Sequence, residues 1–147
     1  MDEKRKCEIF ARHNLNCAKK YIEKYPSIKL LNFEPPDSIW IEKFYRACET
    51  VNSFNSVPHS AKPCGINRKE AVAWVLDQLS FLYGYSQYLI SVRQHGYLAC
   101  VEIKDLESTL YEFWEPGLSL FFANKEIGKL FHIFEAEYEY QLYIADL

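Results

Sequence analysis

Helices first and an antiparallel sheet after them, an α+β chain, is the architecture that three features of this sequence predict. Apolar residues recur at helical spacing as far as Gly84, alternate with a period of two beyond it, and are plentiful enough to fill a core. About three N-terminal helices over residues 1–83 are therefore expected to pack on one face of a sheet over 86–146, within a single domain, 1–147.

Cys7, Phe10, Ala11, Ala18, Tyr21, Ile22 and Tyr25 approximate one face of a first helix, interrupted by Asn14 and ended by Pro26. Pro35-Pro36 then breaks the chain. Asp37 or Ser38 offers a capping oxygen, and Trp40, Phe44, Ala47, Cys48 and Val51 form a second stripe. The stretch SFNSVPHSAKPCGI, residues 53–66, reads as a connecting loop. Asn67 caps a third helix, with Glu70 at the capping-box position. Val72, Val75, Leu76, Leu79 and Tyr83 should face the core, and Gly84 suits a left-handed terminating position.

Beyond Gly84, YLISVRQHGYLACVEI predicts a hairpin, 88–92 against 97–103, turning at Gln94-His95-Gly96. A further strand is expected over 109–114, closed by Glu115-Pro116-Gly117. LSLFFA forms the next, a turn occupies 124–128, and 129–134 is its partner. EAEYEYQLYIA alternates, which puts Glu135, Glu137, Glu139 and Gln141 on one face of a strand and Ala136, Tyr138, Tyr140 and Leu142 on the other.

A chain of 147 residues buries about two thirds of its unfolded surface, so disulfides and metals are not needed to hold it. Cysteines at 7, 17, 48, 64 and 100 are odd in number and include no Cys-x-x-Cys pair, so reduced thiols and a cytoplasmic location are expected. The start, MDEKRKCEIFARHNLNC, lacks a signal-peptide pattern. The longest uncharged run, between Asp77 and Arg93, falls short of the ~20 residues of a membrane helix.

Charge is divided unevenly. Residues 1–70 carry thirteen Lys and Arg against nine acids, and residues 71–147 carry four against eleven. From Glu102 onward ten acids face only Lys104, Lys125 and Lys129. Such asymmetry concerns partners rather than fold.

Reactive constellations are sparse in the sequence. Cys7, His13 and Cys17, or His59 and Cys64, lack the matched spacing of zinc ligands. There is no nucleophile elbow and no glycine-rich phosphate loop. Lys4-Arg5-Lys6 and Arg68-Lys69 read as solvated helix ends in a chain of pI ≈ 5.8. No cofactor, no metal, no direct nucleic-acid contact and no enzymatic activity are expected. Two alternatives stay open. One is a small ribonuclease using His95 or His132 with a nearby Glu; the other is a sensing domain with a pocket between Trp74, Trp40 and the sheet.

What remains is the acidic second half. Glu135, Glu137 and Glu139 are expected roughly 7 Å apart along one strand face. Glu112, Glu115 and Asp146 would join them if their strands are neighbours. Such a face either stays solvated and blunts edge pairing, or docks a basic protein partner. Tyr138, Tyr140, Tyr143, Tyr111 and Trp114 are the candidate aromatic anchors.

In general make-up (small, acidic, aromatic-rich, α+β, ending in the acidic strand over 135–146) the chain resembles the immunity proteins of bacterial toxin systems, including those of contact-dependent growth inhibition. The resemblance implies a cytosolic protein that binds one cognate toxin domain, often a nuclease, and covers its active site or substrate groove. It leaves the oligomeric state open.

Overall fold

The computed structural model describes residues 2–63, 65–92, 97–113 and 120–147, with Phe113 described in its backbone alone. Its elements run α1 (Glu3–Glu23), β1 (Ile28–Phe33), α2 (Ile39–Val51), β2 (Ser60–Pro63), α3 (Arg68–Gln78) and a 3₁₀ turn (Ser80–Leu82). Then follow β3 (Gln87–Val92), β4 (Tyr97–Ile103), α4 (Leu106–Phe113), β5 (Leu120–Asn124), β6 (Lys129–Glu135) and β7 (Glu139–Asp146). Among the described residues the strands form one antiparallel sheet of order β1-β4-β3-β5-β6-β7-β2. The chain is α+β.

Local chemistry sets the helix starts. The Asp2 carboxylate accepts the Arg5 N–H, the Ser38 hydroxyl accepts from Trp40 N, and the Asn67 side chain accepts from Glu70 N. The helical first half is broken by two strands that form the two edges of the sheet. β1 lies against β4 with an irregularity between Leu30 and Asn32, and the four-residue β2 lies against β7. Edge strands this short draw their stability from the partner's ladder rather than from their own periodicity, so residues 53–66 read as pure loop in sequence.

Of the strand expected over 109–114, residue 114 lies outside the described residues, and residues 109–113 are instead the body of α4. Asp105 starts it, accepting from the Ser108 hydroxyl at 2.5 Å while its carbonyl accepts the Thr109 N–H. These local bonds favour a helical turn over the β preference of Thr109, Tyr111 and Phe113.

Helices lie on both faces of the sheet, not one. Ala18 and Ile22 of α1, Ala71, Val72 and Val75 of α3, and Leu110 of α4 share a core with Ile90, Val101, Phe122, Phe131, Ile133 and Leu142. The alternate strand residues Leu89, Leu98, Cys100, Ala123 and Leu130 pack on the other side against Phe44, Ala47 and Val51 of α2. The expected stripe of α1 is buried only toward its end: Phe10 is 66% exposed, whereas Ala18 and Ile22 are fully covered.

Candidate functional site

The acidic face expected along one strand is divided by the chain's own reversal. β6 ends at Glu135, the chain turns through 136–138, and β7 begins at Glu139, with Ala136 N–H bonded to the Glu139 carbonyl at 2.8 Å. Glu135 is paired in register with Tyr140, on the face of Ile133 and Leu142. Glu139 lies one residue out of phase, on the opposite face, and accepts from the Gln141 amide at 2.9 Å. Glu137 is exposed in the turn.

Glu112 is committed internally. Its carboxylate accepts both the Ser27 N–H, at 3.1 Å, and the Ser27 hydroxyl, which in turn accepts from Thr109, so α4 is tied to the turn before β1. Asp146 pairs with Lys129, its neighbour across β6 and β7. Glu115 and Trp114 lie outside the described residues.

The expected aromatic anchors are also dispersed. Tyr140 is buried. Tyr143 is half-buried, donating its hydroxyl to Gln141 at 2.7 Å. Tyr111 is half-buried with the Arg68 guanidinium 5.6 Å from its ring. Tyr138, at the turn, is 78% exposed.

Of the histidines proposed as acid–base groups, His95 lies outside the described residues. His132 is buried, stacked on Phe121 at 3.9 Å and beside Tyr143 at 5.7 Å, and neither ring nitrogen has a hydrogen-bond partner. Burial lowers its pKa to about 4. Sealed in this way, the imidazole cannot reach a substrate. Trp40 packs with the α2 core and Trp74 with the opposite core, so the sheet lies between them. His13 Nε2 and Cys17 Sγ approach to 3.6 Å on exposed α1. Among the described residues no group of three or more His, Cys, Asp or Glu could hold a metal ion, and no helix is long and apolar enough to cross a membrane.

The feature that sequence reading missed is a groove of about 720 Å³ between the end of α3 and the start of α4. One wall is Leu76, Leu79, Leu82 and the loop Tyr83-Gly84-Tyr85-Ser86; the other is Lys104, Asp105, Leu106 and Glu107; Tyr88 and Ile103 also line it. Tyr83, expected on the core stripe of α3, is 95% exposed. The helix stops at Gln78, and the 3₁₀ turn and Gly84, at φ +92°, swing the following residues off that stripe.

The loop is held rather than loose. Tyr88, buried, donates its hydroxyl to the Tyr85 carbonyl at 3.2 Å, and the Ser86 carbonyl accepts from Ile103 N at 2.7 Å. Burial pushes the Tyr88 phenol up to about 12, so it stays a donor at any physiological pH. Beyond the groove's own lining, Phe81 is 47% exposed. The signal available in sequence was the aromatic run Phe81-Leu82-Tyr83-Gly84-Tyr85, more aromatic than a helix end requires. No protein-family model, no curated protein and no solved structure matches this chain.

Proposed function

We propose that this chain is a cytosolic binding protein of the immunity type, which neutralises a cognate toxin domain by occupying it, and that it makes its contact through the tyrosine-rimmed groove. The observation that carries this reading is Tyr83, 95% exposed on a loop whose backbone is pinned at both ends. Tyr offers a large, amphipathic surface at little entropic cost, and aromatic residues dominate interface hot spots. A pinned loop loses less conformational freedom on binding than a slack one, which favours tight association. The acidic residues of the second half, divided between two faces of the last strands and partly committed to internal bonds at Glu112 and Asp146, contribute less to this surface than their sequence spacing implies.

A second reading is favoured by the groove's volume alone: about 720 Å³ falls within the range of small-molecule sites. It makes the chain a sensing module rather than an inhibitor.

One experiment separates them. Proteins retained by the chain from its native host are identified, and each is expressed alone in a susceptible cell. Growth arrest relieved by co-expressing the wild-type chain, but not the Tyr83→Ser variant, is the expected result. A retained protein that arrests nothing, or rescue indifferent to Tyr83, overturns the immunity reading. A melting temperature raised by a metabolite extract freed of protein supports the sensing module.

A further inference from the structure

Resting on the binding role proposed above, we infer that the groove selects a protein segment carrying Arg or Lys beside an apolar side chain. The two walls differ in kind. From Leu76 to Ser86 the lining contains no charged residue, and Tyr83 and Tyr85 form its rim. The facing wall carries Lys104, Asp105 and Glu107. Lys104 is highly exposed and approaches Glu102, just outside the lining, at 3.9 Å, so with Glu102 counted three carboxylates stand against one ammonium along that wall. Asp105 is anchored by the Ser108 hydroxyl, and Glu107 is exposed with no cationic partner among the described residues.

Carboxylates facing phenol rings form an environment that favours a guanidinium or ammonium group, through ion pairing on one side and cation–π attraction on the other. The leucines beneath would hold an adjacent apolar side chain. A macromolecular occupant is chosen over a free cation because the exposed apolar surface runs past the cavity. Phe81 lies outside the lining yet is 47% exposed, and Tyr83 at the rim is 95% exposed.

The test is selection of random twelve-residue segments from a displayed library on the immobilised full chain, followed by fluorescence anisotropy of the selected peptides. The expected consensus places Arg or Lys within three residues of an apolar side chain. Affinity should fall at least tenfold in Glu107→Lys and in Tyr83→Ser, and should weaken with added salt. A neutral or acidic consensus, no enrichment, or binding indifferent to both substitutions overturns the inference. So does a melting shift with N-acetyl-arginine amide in the absence of any enriched peptide, which would assign the groove to a small cation.

The outcome is separable from that of the immunity reading. A toxin neutralised through Tyr83, with a selected consensus lacking cations, sinks only the charge preference. The expected consensus without any toxin sinks only the immunity role.

Discussion

The two faces of the sheet solve the same packing problem with different materials. Under α1, α3 and α4 the strands present Ile90, Val101, Phe122, Phe131, Ile133 and Leu142, an apolar layer completed by helix side chains. Under α2 the layer is thinner, and the buried Glu34 and His132 lie on that side, as does the Cys100 thiol. Glu34 joins the Ser38 cap of α2 to Lys125, and His132 sits between aromatic rings. The first face adds to its packed volume the Glu112–Ser27–Thr109 hydrogen bonds that tie α4 to the turn before β1. On the second, stability depends also on the protonation of His132 and the pairing of Glu34, so substitutions of those two groups should act there.

The largest expected effect tests the first face. Phe131 is fully buried, 5.2 Å from Phe122 and 5.8 Å from Phe81. Phe131→Ala should destabilise the chain by about 3–5 kcal/mol, read from denaturant midpoints, with no change in its pH dependence. A loss under about 1 kcal/mol would mean that the three helices do not close over this strand.

The next effect belongs to the second face. His132 has a folded-state pKa of about 4, below its ordinary value of 6.5. Between those values the unfolded chain takes up a proton that the folded chain refuses. The stability is therefore complete above pH 6.5 and is lost as pH falls toward 4, where the loss levels off. The decrement is roughly 3 kcal/mol. His132→Phe keeps the stack on Phe121 and removes the titrating group, so its stability at pH 4.5 should exceed that of the wild type. A wild-type pH profile that is flat from 7 to 4.5 would sink this account.

Smaller still is the ion pair. Lys125→Met should cost about 2 kcal/mol, because it leaves the buried Glu34 carboxylate with the Ser38 hydroxyl as its remaining side-chain donor. The usual penalty is reduced here because the lysine side chain is itself 33% exposed. Recovery in the double variant Lys125→Met, Glu34→Gln would show that the cost comes from the stranded charge rather than from lost packing.

Features written into short local stretches were legible in the sequence. Asn67 with Glu70 marks the start of α3, Gly84 has the positive φ its position suggested, and β3 and β4 pair from Val92↔Tyr97 outward as the alternation implied. What escaped depends on partners distant in sequence. β1 and β2 exist because β4 and β7 pair with them. The reversal at 136–138 contains no Gly, Pro or Asn, so the alternation of EAEYEYQ ran unbroken through it on paper. That single missed turn moved Glu139 to the other face and dissolved the acidic row. The groove escaped for a related reason: Tyr83 keeps helical phase with Leu76 and Leu79, and only the early end of α3 turns it outward.

The smallest expected effect on stability is therefore the most informative about function. The Tyr83 side chain makes no hydrogen bond among the described residues and is 95% exposed, so Tyr83→Ser, which keeps the backbone bond to Ser80, should leave the unfolding midpoint within about 0.5 kcal/mol of the wild type. Loss of an aromatic hot spot typically weakens association by about 2 kcal/mol, near thirtyfold. That pair of outcomes, stability kept and association lost, would mark the groove as surface shaped for a partner. If Tyr83→Ser instead unfolds the chain, the ring belongs to the packing of the first face, and the groove loses the anchor on which its role depends.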